Sequence, residues 1–336
     1  MKKKSLVIVA LFVAVLAVAC FCLTACNNGQ TGETQTLRFA APEGTPALAM
    51  LRLVTDNKTI AGKNMEYAVV APANISVEMS AEKSDVVIMP INAGANLIHQ
   101  GANYKLVSVA VDGSLFMVGK KDVAGEITFD DIKGKTIACI GQNAVPGMVF
   151  RYVMKSNEIN IITEGTPKAD NNELLVKYVA DGTAAKTLLQ ATDSTKVDFA
   201  VVGEPAATAF KNPLQLNAEM NMQTAYTAAS GNATYPQAGL FVKNSLAADS
   251  TFMNALFTAL QASKDWATSN PSEVTAFCQA NLYNATFPEP SIARCAINVQ
   301  KLTDARKAEI VSFLSIIMPK DSQQNAIDWA NVTNLF

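Results

Sequence analysis

Short runs of valine, isoleucine and alanine alternate with stretches of helical spacing through most of this 336-residue chain. The predicted strands are Leu37–Pro42, Tyr67–Ala71, Ser84–Pro90, Thr136–Ile140, Leu174–Val179 and Val197–Gly203. Strands that are apolar along nearly their whole length are typical of parallel sheets covered by helices on both faces. These strands fall into two series, before and after an extended run at 106–120, and two such series predict two α/β domains.

Helical spacing of apolar residues predicts the elements between and after the strands. The predicted helices among the strands are 46–55, one that starts at Ala93, 129–135, 148–156 and 184–191. From about Ala247 only helices are predicted, at 252–266, 305–317 and 322–329. One more helix is predicted to start at Asn270. There Asn270 would be the N-cap, Pro271 the first helical residue and Glu273 the N3 residue.

The first 25 residues have the pattern of an export signal, with Lys2, Lys3 and Lys4 followed by an apolar run to Phe21. Leu23-Thr-Ala-Cys26 resembles the lipobox of bacterial lipoproteins. That resemblance implies cleavage before Cys26 and a diacylglycerol on its sulfur. The alternative is an uncleaved signal-anchor helix, because the apolar run approaches the length that spans a bilayer. Cys20 is a second, less suitable lipidation candidate.

Composition excludes several classes of protein. Removal of the leader takes three of the 27 basic residues and none of the 29 acidic ones, which leaves a net charge near −5. A mildly acidic chain without a basic block is not expected to bind nucleic acid. His99 is the only histidine, so Ser-His-Asp, Cys-His and most zinc sites are hard to build. We therefore expect no catalytic residues, no metal and no cofactor.

Three cysteines follow the lipobox. Cys139 lies in a predicted buried strand, where a cysteine is usually a small apolar residue. Cys278 and Cys295 could pair in an oxidising compartment, but the sequence does not give the separation that a disulfide needs. Both states remain open.

Three segments resemble bacterial substrate-binding proteins that feed ABC importers. Ser84–Leu97 resembles the third strand and following loop of that family, and Asp131–Ile137 (Asp-Ile-Lys-Gly-Lys-Thr-Ile) resembles its entry into the second domain. Val197–Ala209 resembles a further strand and helix start. In this order, behind a lipobox, the segments are similar to the nitrate, sulfonate, taurine and thiamine-precursor binding proteins. The resemblance covers about residues 37–270.

The resemblance implies a two-lobed α/β fold, the type II Venus flytrap of periplasmic binding proteins, with two parallel-rich sheets, flanking helices and a helical C-terminal extension. The implied division is a signal peptide at 1–25, a polar tether at 26–36, lobe 1 at 37–115 plus 238–336, and lobe 2 at 116–237. The chain is expected to cross between the lobes at 109–120 and 235–243. The tail from Phe287 is expected either to wrap lobe 1 or to contact a permease.

Ligands of open α/β sheets bind beyond the carboxyl ends of the strands, so the loops there are the predicted site. Turn residues in these loops precede helices, whose free N–H groups can hold an anion without an arginine. For each loop, turn formation alone is the alternative explanation. The carboxylates of Glu43 and Glu204 would instead favour an amine, an aminopyrimidine or a hydroxyl donor. The alternative for Glu204 is structural, because the Glu-Pro after this strand also occurs in the resembled family as a corner, where the carboxylate would only cap the following helix. The predicted ligand-binding residues are Glu43, Gly44, Thr45, Pro46, Asn92, Ala93, Gly113, Ser114, Gln142, Asn143, Thr183, Glu204 and Tyr235.

The resemblance implies a lipid-anchored solute-binding protein on the extracytoplasmic face of the bacterial cell membrane. It would capture a small organic or oxyanion solute, such as a sulfonate, nitrate or thiamine precursor, for an ABC importer. The expected partners are the solute, the permease and its ATPase, and the membrane through the anchor. The chain is expected to be a monomer and not an enzyme. Two alternatives remain, a ligand-sensing surface lipoprotein without transport and an enzyme on the same fold.

Overall fold

Two mixed β-sheets, sheet 1 and sheet 2, organise the protein. The computed structural model describes residues 36–166, 172–321 and 323–336, and residues 37–336 form one compact unit. The leader, the lipobox residue Cys26 and nearly all of the polar tether lie outside the described residues. Within the described ranges, no helix has both the length and the apolar character needed to cross a membrane.

In the described part of the chain, sheet 1 has six strands. They are β1 (Leu37–Pro42), β2 (Thr59–Ile60), β3 (Lys63–Val70), β4 (Val86–Pro90), β5 (Tyr104–Asp112) and β13 (Pro236–Lys243). Their order in space is β2-β3-β1-β4-β13-β5. β1 is parallel to β3 and β4, whereas β13 is antiparallel to β4 and β5. The carboxyl ends of β1 and β4 therefore lie at the same edge of sheet 1.

Among the residues that the structure describes, seven strands form sheet 2. They are β6 (Leu115–Gly119), β7 (Gly125–Glu126), β8 (Thr136–Ile140), β9 (Ile161–Thr163), β10 (Leu174–Val179), β11 (Phe199–Gly203) and β12 (Ala218–Asn221). Their order in space is β7-β12-β6-β11-β8-β10-β9. β8, β9, β10 and β11 are parallel, and β6 is antiparallel to β11 and β12. The carboxyl ends of β8, β10 and β11 thus share one edge of sheet 2.

Helices connect the strands and form the C-terminal part of the chain. Those before residue 235 are α1 (Thr45–Ala49), α2 (Leu53–Asp56), α3 (Ile75–Ser80), α4 (Ile91–His99), α5 (Phe129–Ile132), α6 (Val145–Ser156), α7 (Gly182–Gln190), α8 (Ala206–Leu214) and α9 (Met222–Ser230). Those after it are α10 (Asn244–Ala247), α11 (Ser250–Ser269), α12 (Val274–Asn281), α13 (Ser291–Arg294) and α14 (Asp304–Ile317). Short 3₁₀ helices lie at Pro72–Asn74 and Trp329–Asn331.

The chain passes between the sheets twice. Gly113 and Ser114 alone separate β5 of sheet 1 from β6 of sheet 2, and residues 231–235 lead from α9 back to β13. We call residues 37–112 and 236–336 the sheet-1 half, and residues 115–235 the sheet-2 half.

Three apolar clusters form the core. One joins sheet 1 to α1 and α11 through residues such as Phe39 and Leu256, and one lies between sheet 2, α7 and α8 around Val202. The third is shared by the two halves, since it contains Met89 of β4 and Met117 of β6. Burial of apolar surface therefore holds the halves together as well as stabilising each of them.

The C-terminal segment contacts both halves. Val111 in the edge strand β5 forms a β-bridge with Ile297, and Ser108 forms one with Lys301, so this segment covers a sheet edge. α14 then packs against α6 of the sheet-2 half. The Phe313 ring of α14 stacks on the Tyr235 ring with centroids 6.0 Å apart. The tail thus wraps sheet 1, as one of the two expectations had it, and also reaches the other half.

The predicted α/β class with two sheets and flanking helices is confirmed. The predicted strands at 37–42, 136–140 and 174–179 have the bounds expected. Both sheets contain more antiparallel pairs than predicted. In each sheet, the strand that follows a crossing (β13 in sheet 1 and β6 in sheet 2) runs antiparallel to its neighbours.

Three helix predictions were wrong. The predicted helix at 46–55 is two short helices, α1 and α2. Asn270 does not begin a helix, because its Nδ2 donates to the Trp266 carbonyl at 2.9 Å and ends α11. The described part of 322–329 is not an α-helix: Lys320 forms a β-bridge with Ala326, and the chain turns back so that Trp329 Nε1 donates to the Met318 carbonyl.

Candidate functional site

The loops that follow five parallel strands carry most of the predicted ligand-binding residues. In the sheet-1 half, β1 leads into α1 and β4 leads into α4. In the sheet-2 half, β8, β10 and β11 lead into α6, α7 and α8. Hydrogen bonds between Thr45 and Glu204 and between Asn92 and Asn143 connect the two sets of loops. The sequence prediction that these loops meet therefore agrees with the geometry at these two points.

Thr45 connects the halves through its hydroxyl. This residue starts α1 and is 2% exposed. Its Oγ1 lies 2.8 Å from the Glu204 carbonyl oxygen and 3.5 Å from the Cys295 sulfur. A hydroxyl has one proton to donate, so Thr45 donates to the carbonyl and accepts from the thiol. Burial raises the pKa of the Cys295 thiol to about 12, which keeps its proton in place. The result is a buried chain of hydrogen bonds from one half to the other.

Gly44 begins the first of these loops in a conformation that glycine allows. Its φ is 96°, in the left-handed region where other residues are strained. Its N–H donates to the Tyr283 hydroxyl at 2.7 Å. Burial raises the pKa of Tyr283, so the hydroxyl stays neutral. The N–H that precedes α1 is thus already bound by the protein.

Asn92 is the buried amide of the site. It lies in the first turn of α4 and is 4% exposed. Its Nδ2 lies 3.2 Å from the Asn143 carbonyl oxygen and 3.6 Å from the Met148 sulfur, both in the sheet-2 half. Its Oδ1 is buried and has no hydrogen-bond partner among the described residues.

The first crossing is held by contacts that only small residues permit. A Cβ on Gly113 would lie 1.9 Å from Oε1 of Gln223 and 2.7 Å from the buried Tyr235 ring, so a larger residue would have to displace both side chains. The Ser114 N–H donates to Oε1 of Gln237 at 3.2 Å, and the Ser114 carbonyl accepts from the Glu204 N–H at 3.0 Å. Gln237 of β13, which the sequence reasoning missed, thereby binds the first crossing next to the point where the second crossing ends.

The Glu204 carboxylate caps α8 in this structure, which agrees with the structural alternative for this residue. Its two oxygens accept from the N–H and the hydroxyl of Thr208, at 3.1 and 2.8 Å, in the first turn of α8. Only the backbone carbonyl of Glu204 meets Thr45. A short strand-to-helix turn forces this arrangement, because the side chain is the nearest group able to bind the free N–H groups of α8.

Arg294 pairs with Glu204 from the other half. Its guanidinium contacts the Glu204 carboxylate and binds both oxygens of Glu219, at 3.2 and 2.9 Å. Its Cζ also lies 3.9 Å from the centroid of the Phe116 ring, a cation–π distance. Burial lowers the pKa of Arg294, but its hydrogen bonds to Glu219 and the charges of both carboxylates outweigh that effect and raise it. Sequence reasoning missed Arg294, although it is the only charge between Ser291 and Lys301.

A second helix start in the sheet-2 half is also occupied by a carboxylate of the protein. Asp181 accepts from the Ala184 N–H at 2.9 Å and caps α7. Together with the cap that Glu204 forms on α8, this corrects the expectation that several helix starts in the site are free to hold an anion. By contrast, α4 and α6 begin without a side-chain cap.

The remaining predicted residues lie in different environments. The rings of Tyr226 and Phe313 pack on Tyr235, which is fully buried, so in this structure Tyr235 is a core residue at the second crossing. Burial raises its pKa. The other residues not yet placed are exposed or half-buried at the loop positions: Glu43, Pro46, Ala93, Gln142 and Thr183.

The cysteines and the histidine do not form a reactive group in the described part of the chain. Cys139, Cys278 and Cys295 are buried free thiols, so the latter two are not paired in this structure. His99 is exposed at the end of α4, beside the Trp329 ring. No cluster of three or more His, Cys, Asp or Glu side chains suited to a metal ion occurs in the described ranges.

Solved structures of binding proteins share this fold. An ABC transporter protein from Parabacteroides distasonis superposes with a TM-score of 0.68 at 18% identity, over 86% of this chain and 94% of that one. The periplasmic aliphatic sulphonate binding protein of Escherichia coli gives a TM-score of 0.61 at 10% identity, over 90% and 92%. A ligand-binding component of an ABC-type import system from Staphylococcus aureus, with zinc bound, gives 0.59 at 10%, over 84% and 91%.

These likenesses concern the fold. No protein-family model matches the sequence, and no curated protein matches it. The structural neighbours include ABC-transporter substrate-binding proteins, and the fold is that of periplasmic binding proteins, as the sequence resemblance implied.

Proposed function

We propose that this chain is the solute-binding component of an ABC importer, and that it holds a small molecule between the strand-end loops of its two halves. The observation that supports this most is the pairing of those loops across the halves, Thr45 with Glu204 and Asn92 with Asn143. In a protein of this fold, hinge closure around a ligand is the expected motion. A permease and an ATPase would be the partners, and the chain would act as a monomer without catalysing a reaction.

The two halves are the lobes of this proposal. Lobe 1 then corresponds to the predicted 37–115 plus 238–336 and lobe 2 to 116–237, with small shifts at the boundaries. Leu115 already pairs in sheet 2, and Pro236 pairs with Asp112 in sheet 1. The hinge consists of Gly113 with Ser114 and of residues 231–235, because these short segments join the sheets.

A lipid anchor at Cys26 completes the proposal. The lysine-led leader, the Leu-Thr-Ala-Cys sequence and the polar residues after it support export and tethering at the outer face of the membrane. A tether of about ten residues can extend roughly 35 Å, which gives a captured solute access to a permease beside the anchor.

Calorimetric titration with a solute panel, followed by small-angle X-ray scattering, tests the proposal. The panel consists of alkyl sulfonates, taurine, nitrate, aminopyrimidines, amino acids and oligosaccharides. We expect a saturable heat with one class and a smaller radius of gyration in its presence. Failure of every class to bind a folded protein would contradict the proposal.

A pair of variants locates the bound solute. Thr45→Val changes the side-chain volume little but removes the hydroxyl that connects the halves. It is expected to weaken solute binding. The matched control is Thr187→Val, because the Thr187 hydroxyl donates to the Thr183 carbonyl on the surface of α7. Equal binding by both variants would place the solute elsewhere.

A further inference from the structure

The buried oxygen of Asn92 restricts the chemistry of the solute. A buried acceptor without a hydrogen bond costs free energy, because it has lost water and gained no partner. Asn92 is 4% exposed and its Oδ1 has no partner among the described residues. In the described ranges, two predicted ligand-binding residues have a buried polar side-chain atom without a partner, the Asn92 oxygen and the Tyr235 hydroxyl, and of these Asn92 lies in a strand-end loop of the site.

The orientation of this amide is fixed by its neighbour. Nδ2 lies 3.2 Å from the Asn143 carbonyl oxygen, which can only accept. Rotating the amide would place Oδ1 against that carbonyl and leave two acceptors facing each other. The atom without a partner is therefore the acceptor, and it lies where the two sets of loops meet.

Donors around the same loops are already bound by the protein. The Gly44 N–H is bound by Tyr283, and the Thr45 hydroxyl is bound by the Glu204 carbonyl. Carboxylates of the chain cap α7 and α8. The start of α4 has no side-chain cap, and Asn92 belongs to its first turn. At the start of α6, Pro146 has no N–H, and the Gly147 N–H already donates to the Gly141 carbonyl at 3.2 Å. The buried Asn92 oxygen thus needs a donor, and the first turn of α4 is the helix start beside it that can supply N–H groups.

We infer that the solute carries an N–H or O–H donor that binds Oδ1 of Asn92, beside an acceptor that faces the start of α4. An aminopyrimidine, a carboxamide or an ammonium-bearing sulfonate meets this requirement. Nitrate and simple alkyl sulfonates do not, because they have no hydrogen to donate at neutral pH. This inference rests on the proposed function and narrows the solute class within it.

Paired ligands that differ only in the donor test the inference. Taurine is compared with propane sulfonate, in which a methyl group replaces the ammonium group, and an aminopyrimidine with the corresponding methylpyrimidine. One of the two pairs is expected to bind the folded protein. Within that pair, titration should give a dissociation constant about ten- to a hundredfold lower for the ligand with the donor than for the ligand without it. Nitrate is included as an acceptor without any hydrogen.

Variants at Asn92 assign the preference to this residue. In Asn92→Leu, the two ligands of a pair are expected to have nearly equal dissociation constants, so that the ratio of these constants is near one. The matched control Asn96→Leu, one turn further along α4, should retain the ratio. If Asn92→Leu does not fold, as judged by circular dichroism, Asn92→Ala replaces it with the same expectation, because alanine also lacks the acceptor oxygen.

The outcomes separate the inference from the proposed function. Binding of propane sulfonate or the methylpyrimidine at least as tight as that of its donor-bearing counterpart, or of nitrate tighter than every donor-bearing ligand, overturns the inference and leaves the proposed function standing. A donor preference that survives in Asn92→Leu also overturns it. Binding of no panel member overturns the proposed function itself.

Discussion

Arg294 of the sheet-1 half binds Glu219 of the sheet-2 half through both terminal nitrogens of its guanidinium, at 3.2 and 2.9 Å. The same guanidinium contacts Glu204, whose backbone carbonyl accepts the Thr45 hydroxyl in the site. The ion pair and the candidate site therefore share Glu204. Any motion that separates the two halves at this point has to break both contacts.

Replacing Arg294 by alanine is expected to destabilise the contact between the halves. The Glu204 side chain is fully buried, so loss of the cation leaves its carboxylate with only its Thr208 contacts. We expect a cost of about 1–3 kcal/mol in the free energy of unfolding, a few degrees in the midpoint of thermal unfolding. Thermal unfolding followed by circular dichroism measures it.

Two comparisons make this prediction specific. Arg294→Lys keeps the charge but cannot bind Glu219 through two nitrogens, and should be intermediate. Lys307→Ala removes an exposed lysine that pairs with Asp304 within one helix, and should change little. An unchanged midpoint for Arg294→Ala would show that the pair does not stabilise the fold.

The contact should also weaken in acid. Burial raises the pKa of Glu219, but its hydrogen bonds to Arg294 and Lys211 outweigh burial and lower it below the ordinary value of 4.5. A carboxyl group whose pKa is lower in the folded state stabilises that state above its unfolded pKa, and the stabilisation is lost as pH falls through the folded pKa. The midpoint difference between the wild type and Glu219→Gln should therefore be constant at neutral pH and shrink below about pH 4.5. A difference that grows on acidification would contradict this assignment.

Phe313 is expected to be important for the attachment of the C-terminal helix. Its ring stacks on Tyr235 and meets the Tyr226 ring edge-on, with centroids 5.9 Å apart. Phe313→Ala should cost about 3–5 kcal/mol, as for other buried phenylalanines. Phe257→Ala, at a half-buried phenylalanine beside Lys301, should cost much less. Similar losses for the two variants, measured by urea unfolding, would mean that α14 is not fixed through Phe313.

Cys26→Ala is expected to release the protein from the membrane fraction of a bacterial host. Without the cysteine there is no thiol to receive the lipid, and cleavage before residue 26 should fail as well. Fractionation and mass spectrometry of the intact protein check this, with Cys20→Ala as the control. If Cys20→Ala abolishes attachment and Cys26→Ala does not, the lipid is on the earlier cysteine.

Local patterns predict the framework of this protein well. The apolar run at Leu37–Pro42 is a strand that buries side chains on both faces. The run at Leu174–Val179 is a strand in which Leu174 and Val176 are buried and the other side chains are half-buried. Turn residues after the strands likewise locate the loops of the candidate site. The two small residues of the first crossing, Gly113 and Ser114, are visible in the sequence because they interrupt an extended run.

The hydrogen-bond and ion-pair partners of the site residues are distant in the sequence, so local sequence patterns do not identify them. Tyr283 lies 239 positions from Gly44 in the chain, and Arg294 lies 90 positions from Glu204. The use of Glu204 depends on which way its side chain turns, and the nearby N–H of Thr208 decides that. Arg294 has one sequence signal, a lone charge in an apolar stretch, which predicts a buried ion pair but does not identify its partner.

Small-angle scattering during titration with the tightest-binding panel solute tests the central claim most directly. The proposal predicts a radius of gyration that falls in proportion to the bound fraction, in the wild type and in Thr187→Val, with the titration shifted to higher solute concentration in Thr45→Val. A solute that binds without any change in the radius of gyration, or that binds Thr45→Val and the wild type equally, would contradict capture between the two halves.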